Sequence, residues 1–163
     1  MKFPLFRLSL VLVFMALAAC GEAPPPNIHS EPVPTFQALK DTPVMPMALQ
    51  EVVDTYVLGG TRTDLQRETM TAKLVGATVS WRFKVYDIAK EDGRYRVMSE
   101  LMDGTEPGAF GKFTVVAFVT PRDEQDVQAL LKLQTGSEVE VRGRVDGVTV
   151  RTALVLSPAE LVR

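Results

Sequence analysis

The sequence predicts a mainly β domain in which five strands form a small barrel, with two helices before the first strand and one helix between the third and fourth strands. Three observations support this fold class. Apolar and polar residues alternate with a period of two from Thr78 and again from Glu138, as a half-buried strand requires. Glycine- and proline-rich turns separate the β-branched runs. One helical period, at 123–133, interrupts them.

Two short helices are predicted ahead of the barrel. Over 47–57 the apolar residues recur every three or four positions, which indicates an amphipathic helix, and Gly59-Gly60 ends it. Thr63 and Gln66 have the spacing of a capping box. They predict a second helix that ends at Gly76.

The first strand, from Thr78 to Tyr86, shows the clearest alternation in the chain. Because neighbouring side chains of a strand point to opposite faces, its apolar members belong to the core and its polar members lie outside. The segment 90–93 is a predicted turn, and 94–101 returns as the second strand of a hairpin. The residues assigned to the core are Val79, Trp81, Phe83 and Val85.

The second half of the barrel follows a loop at 102–111. The third strand is predicted at 112–119. A helix is predicted at 123–133, where acidic residues in the first helical turn interact favourably with the helix dipole. The fourth strand covers 138–145, Asp146-Gly147 supplies a two-residue turn, and 148–156 is the last strand. Five strands in Greek-key order with a helix between the third and fourth are the signature of an OB fold.

The N-terminus has the pattern of a secretory signal peptide over 1–19, with Lys2 and Arg7 before an uncharged apolar run. That run is shorter than the roughly 20 apolar residues that cross a bilayer. It ends in Leu-Ala-Ala-Cys-Gly at 17–21, which resembles the lipobox of bacterial lipoproteins. The resemblance implies that Cys20 becomes the N-terminus and carries fatty acids such as palmitate. The alternative is an ordinary cysteine beside an ordinary signal cleavage site.

Residues 20–46 are predicted to be the lipidated cysteine followed by a proline-rich spacer without a fixed fold, and 47–163 the folded domain. Seven of the 11 prolines lie between positions 24 and 46, and proline favours extended, semi-rigid chains. A recognition motif for an aromatic groove is the alternative. In the bacterial lipoproteins that this N-terminus resembles, aspartate after the cysteine suggests retention at the inner membrane. Because Gly21 stands there, the resemblance implies an outer-membrane anchor with the domain facing the periplasm.

Two segments carry a family resemblance. One is Leu74-Val75-Gly76 followed by Val79-Ser80-Trp81, and the other is the run 133–145, with its spaced glycines and alternating valines. They resemble exported OB-fold domains of the tRNA-anticodon-binding-like family over roughly 49–156. The resemblance implies a barrel that binds a ligand on the face of strands 1 to 3 or at the flanking loops. It carries over no catalytic residue, and the family's name does not transfer nucleic-acid binding.

The composition argues against several kinds of chemistry. Cys20 is the only cysteine, and the only histidine, His29, lies in the spacer. The domain therefore lacks the usual ligands of a transition-metal site and the base of a hydrolytic nucleophile. We expect no metal, no cofactor and no enzymatic activity. A carboxylate-based hydrolase of cell-wall material, acting through the Glu100, Asp103 and Glu106 loop, is the alternative from a different class.

The candidate ligand-binding surface is basic and aromatic, on the outer faces of strands 1 and 2. Oligonucleotides, oligosaccharides or peptides commonly bind this face of an OB barrel. The chain has 18 basic and 20 acidic residues, and removing 1–19 takes two basic ones, so the charge moves from −2 to 16 − 20 = −4. Nucleic acid is therefore a less favoured ligand. The residues of the surface are Arg82, Lys84, Tyr86, Arg94 and Arg96.

These observations lead to one hypothesis and its rivals. We expect a non-catalytic lipoprotein, anchored to the membrane through its lipid, that binds an envelope protein, a peptide or a glycan. The alternatives are a cell-wall-acting accessory enzyme and a single-stranded nucleic-acid binder. For the surface itself, the plain alternative is that its cations are the solvated half of an alternating strand.

Overall fold

The structure is a computed structural model that describes residues 36–149 and 151–163. The predicted signal peptide at 1–19, Cys20 and His29 lie outside the described residues. Within the described part of the chain, no helix is both long enough and apolar enough to span a membrane. The elements in chain order are α1 (Phe36–Asp41), α2 (Leu49–Tyr56), α3 (Asp64–Leu74), β1 (Thr78–Glu91), β2 (Arg94–Ser99), β3 (Thr114–Val119), α4 (Glu124–Lys132), β4 (Glu138–Thr149) and β5 (Ala153–Leu161).

The five strands close into a barrel in the order β1-β2-β3-β5-β4. β3 and β5 pair in parallel, and the other neighbours pair antiparallel. With α4 connecting β3 to β4, this is the Greek-key arrangement of an OB fold. The predicted fold class is confirmed, with one helix between β3 and β4 as expected. Three helices precede β1 where the sequence predicts two, because α1 was not expected.

β1 is longer than its predicted end at Tyr86 and serves both halves of the barrel. Its residues 78–84 pair with β4, and those from Val85 to Glu91 pair with β2. A register shift between Val85 and Asp87 marks a β-bulge. Because a bulge bends and twists its strand, this one lets β1 change partners and close the barrel.

The core fills the barrel with the inward side chains of all five strands and the buried faces of the helices. The four residues assigned to the core from the alternation of the first strand are all buried. Trp81 is 3% exposed, and its indole N–H donates to the Met47 carbonyl at 2.8 Å. The one polar atom of this side chain is therefore satisfied, as burial of tryptophan requires.

The helix before β1 begins as the sequence predicts. The Thr63 backbone N–H donates to Gln66 Oε1 at 2.8 Å, and the Gln66 N–H donates to Thr63 Oγ1 at 3.3 Å. These two bonds form the capping box and satisfy donors that have no partner inside the helix. α3 contributes Leu74 to the core, whereas Leu65 is 72% exposed.

The turn between the last two strands does not lie at Asp146-Gly147. β4 continues through this dipeptide to Thr149, and the chain reverses before Ala153, which is the partner of Thr149. Arg151 supplies a positive φ of 61° there. Register shifts flank Val145, so the Asp-Gly pair lies at an irregular bend of the strand. Turn chemistry alone could not distinguish these two roles.

Two other strand boundaries differ from the sequence prediction. β2 ends at Ser99, so Leu101, which the alternation placed on the apolar side, is 64% exposed. β3 begins at Thr114, two residues later than predicted.

Ordered structure begins before residue 47, the predicted start of the domain. α1 lies within the predicted spacer, and its Leu39 is 1% exposed. The Arg142 guanidinium donates to the Lys40 and Thr42 carbonyls at 3.2 and 2.6 Å, and the Met45 N–H donates to the Thr78 carbonyl at 2.8 Å. The prediction of an unfolded spacer up to residue 46 was therefore wrong for its last part, because it was based on the high proline content and did not consider packing against the barrel.

Candidate ligand-binding surface

The five residues of the predicted surface separate into two groups. Arg82 and Lys84 are exposed on the half of β1 that pairs with β4. Arg94 and Arg96 lie half-buried on β2, where Arg96 is opposite Ala89. Lys84 and Ala89 are five positions apart, or roughly 16 Å at about 3.3 Å per residue. The structure therefore does not bring the four cations into one patch.

Tyr86 lies between these groups, next to the bulge. Its side chain is 57% exposed, and its backbone carbonyl accepts a hydrogen bond from Thr135 Oγ1 at 2.9 Å. The loop between α4 and β4 therefore holds the main chain of Tyr86, while the ring remains available to a ligand.

Glu140 on β4 partly neutralises the first group. Arg82 Nη2 donates to Glu140 Oε2 at 2.9 Å, and Ser80 Oγ donates to Glu140 Oε1 at 3.1 Å. The hydrogen bond from Arg82 and then that from Ser80 lower the pKa of Glu140 below its ordinary value. Lys84 lies opposite Glu138 in the strand register, but its ammonium makes no ion pair with any residue that the structure describes.

Beside Arg82 and Lys84 is a cavity of about 310 Å³, which we name the α2–β1 groove. It lies between the start of α2, β1 and the end of β2. Leu49 and Met102 are half-buried in it, and Leu101 is exposed at its rim. The groove thus combines apolar surface with cations, as binding sites commonly do. Its lining residues are Leu49, Gln50, Arg82, Phe83, Lys84, Ser99, Glu100, Leu101 and Met102.

The second group of cations is engaged within the protein. The Arg94 guanidinium lies over the Phe118 ring, 5.0 Å from its centroid, in a cation–π contact. Arg96 faces Asp87 at 3.7 Å and Glu91 at 2.7 Å. For these two residues the structure favours the plain alternative, in which neighbouring groups on the strands balance the cations.

Two of the three acids proposed for hydrolysis, Glu106 and Asp103, form structural contacts. Glu106 Oε2 accepts hydrogen bonds at 2.7 Å from both the N–H and the hydroxyl of Thr61. These bonds lower the pKa of Glu106, whereas a general acid needs a raised one. Asp103 pairs with Lys112. Among the described residues there is no group of three or more histidines, cysteines or acids that could hold a metal.

A third charged cluster was not anticipated from the sequence. The Asp126 side chain has no exposed surface, and it accepts hydrogen bonds from Arg122 Nε at 2.8 Å and Arg163 Nη2 at 2.6 Å. The bonds from Arg122, more than those from Arg163, hold the pKa of Asp126 far below its ordinary value. The spacing of Arg122 and Asp126 was a local signal for part of this cluster, but the contribution of Arg163 depends on the fold.

Sequence reasoning also missed the groups that determine which cations are free. Glu140 and Phe118 become neighbours of Arg82 and Arg94 only through strand pairing. Glu140 carried one weak signal, because it alternates with valines on the outer face of its strand. Nothing local relates it to Arg82, 58 residues away.

No protein-family model matches the chain, and no curated protein matches it. Among solved structures, it is similar to a lipoprotein of Klebsiella pneumoniae named as a candidate nucleic acid-binding protein. The identity is 19%, the TM-score is 0.45, and the match covers 80% of this chain and 99% of that one. The Stn1–Ten1 complex of S. pombe matches at 14% identity and a TM-score of 0.33, over 53% of this chain and 58% of that one.

Asparaginyl-tRNA synthetase from Pyrococcus horikoshii matches at 19% identity with a TM-score of 0.38, over 59% of this chain and 21% of the synthetase. The OB-like assignment depends on the strand order and register of the protein itself, not on these matches.

Proposed function

We propose that this protein is a non-catalytic, lipid-anchored binding module of the bacterial cell envelope, whose OB-like barrel holds an anionic partner at the α2–β1 groove. The partner is an envelope protein, a peptide or a glycan. The observation that carries the proposal is the exposed Lys84 ammonium, which has no ion-pair partner among the described residues and lies beside a groove with apolar lining.

The anchor in this proposal is Cys20, supported by the lipobox-like sequence that follows an apolar run. A single acyl chain holds only marginally to a membrane, whereas two or more give stable attachment. The barrel would then face the periplasm, with the outer membrane favoured over the inner by Gly21.

The experiment compares two variants of the full-length protein in detergent. The first combines Arg82→Gln with Lys84→Glu at the groove. The second combines Arg94→Glu with Arg96→Gln and changes the net charge equally. Glutamine is used at position 82 because glutamate there would be repelled by Glu140. Circular dichroism checks that both variants remain folded.

Binding is measured by fluorescence polarisation with three labelled probes: a glutamate-rich peptide, an anionic peptidoglycan fragment and a single-stranded oligonucleotide. We expect the peptide or the glycan to bind, and the groove variant to weaken that binding at least tenfold while the control variant leaves it unchanged. Equal effects of both variants would remove the groove from consideration. Preferential and steeply salt-dependent binding of the oligonucleotide would instead support a nucleic-acid binder.

A further inference from the structure

β1 has a segment of open edge beside the α2–β1 groove. In an antiparallel pair, the N–H and C=O of successive residues point alternately toward and away from the paired strand. The Val145 N–H donates to the Ala77 carbonyl at 2.9 Å, and the Val85 N–H donates to the Ser137 carbonyl at 2.8 Å. The odd-numbered residues of this half of β1 therefore face β4, and the even-numbered ones face away from it.

Both ends of the outward-facing row are occupied. The Thr78 carbonyl accepts from the Met45 N–H at 2.8 Å, and the Lys84 carbonyl accepts from the Glu100 N–H at 2.8 Å. Between these points, the main-chain groups of Ser80 and Arg82 have no backbone partner among residues 36–149 and 151–163, since the ladder to β2 begins only at Val85.

We propose that an extended, acidic segment of a partner protein adds to β1 at Ser80 and Arg82 as a short antiparallel strand. An exposed edge with unpaired N–H and C=O groups is a template for such pairing. The interval from Thr78 to Lys84 is roughly 20 Å at about 3.3 Å per residue, which accommodates about five residues. The proposal rests on the proposed function and specifies its ligand and its binding mode.

The side chains beside the edge define the sequence of the segment. Directly opposite residues of paired strands share one face, and opposite charges there are favourable. The residue opposite Arg82 should therefore be acidic. Glu100 occupies the position opposite Lys84, but the Lys84 side chain lies diagonally from the residue opposite Arg82. Lys84 is the stronger partner of that acid because Glu140 already engages Arg82. The intervening residues would point to the side of Phe83, toward Leu49 and Met102, and should be apolar. Glu100 at the far end of the groove disfavours an acid there.

The probe is the peptide acetyl-Val-Glu-Val-Glu-Val-amide, whose five residues would lie opposite 79–83 and whose two glutamates would lie opposite Ser80 and Arg82. Its matched control has the same side chains but carries N-methyl groups on the glutamates, which removes the N–H donors that would face β1 and keeps the charge. With the full-length protein in detergent, we expect the control to bind at least tenfold more weakly. Equal binding of the two peptides would overturn strand addition, while leaving the groove as an electrostatic site.

Amide hydrogen exchange followed by NMR provides an independent measurement. We expect saturating peptide to slow exchange of the Ser80 and Arg82 N–H groups at least tenfold. The Trp81 and Phe83 N–H groups, which face β4, should change little. Unchanged exchange at Ser80 and Arg82 despite binding would contradict the proposal. Absence of binding by either peptide, or binding insensitive to Arg82→Gln with Lys84→Glu, would instead refute the proposed function itself.

Discussion

Asp126 shows how much one side chain can organise at the residue scale. It links α4 to the end of the chain, because Arg122 and Arg163 both donate to its carboxylate and Arg122 also donates to the Leu161 carbonyl at 2.9 Å. Its burial is tolerated because each oxygen has cationic donors. We infer that this cluster is structural.

Replacing Asp126 with asparagine should destabilise the protein by about 2 kcal/mol at pH 7. Losing one partner of a fully buried pair costs about 3–5 kcal/mol. We expect a smaller loss of stability here because the two arginines are 36% and 40% exposed, so water already solvates them in part. Urea unfolding measures the change. Glu124→Gln, an exposed change of the same charge on the same helix, is the control and should have little effect.

The free energy of unfolding should depend differently on pH in the wild type and in the Asp126→Asn variant. The pKa of Asp126 is lowered in the folded state from 3.8, so its contribution is present above that value and declines as the pH falls through the lowered folded pKa. At pH 3 the difference between wild type and Asp126→Asn should shrink by about 1 kcal/mol. A difference that stays constant from pH 7 to pH 3 would show that Asp126 does not stabilise the fold as a carboxylate.

At the element scale, α3 illustrates a helix that depends on its cap. Only Leu74 of its residues is buried, so packing contributes less than for a core helix. Thr63→Ala should therefore cost about 1 kcal/mol. Thermal or urea unfolding measures this, and Thr63→Ser, which keeps the acceptor oxygen, is the matched control. If alanine and serine gave the same stability, the capping box would not contribute to the fold.

The elements also show where local patterns suffice and where they do not. Alternation correctly oriented the side chains from Val79 to Val85, because the two faces of a strand are fixed by backbone geometry. The prediction of a hairpin turn at Asp146-Gly147 was wrong, because the same dipeptide also suits a bend within a long strand. The predicted length of the first strand was too short, because the bulge after Val85 breaks the alternation of buried and exposed residues.

At the scale of the whole molecule, the barrel closes through contacts between segments distant in sequence. β3 and β5 pair in parallel, although α4 and β4 separate them in the sequence. Where β4 passes β5, a Cβ on Gly143 would lie 3.0 Å from the Cβ atoms of Leu156 and Ala159. This close approach explains a glycine in the middle of a strand that is otherwise rich in valine.

The proposed anchor and the barrel should behave as separable parts. Cys20→Ser should move the protein from the membrane fraction to the soluble fraction, because no acyl chain can then be attached. Its unfolding temperature should not change, since the motif lies outside the barrel sequence. Fractionation and intact mass measurement test this. Wild-type protein with an unmodified Cys20, or a variant that stays in membranes, would contradict the lipid anchor.

From the amino-acid sequence alone, periodicity and turn residues predicted the fold class, the order of the elements from α2 to β5, the buried face of the first strand and the capping box of α3. Each of these features follows from short-range patterns, either the periodicity of apolar residues or hydrogen bonds between residues three positions apart. Only the tertiary structure decided that Glu140 neutralises Arg82, that Arg96 lies between Asp87 and Glu91, and that the edge at Ser80 and Arg82 is open. These features depend on which strands pair and in which register, and no local pattern encodes a pairing across 58 residues.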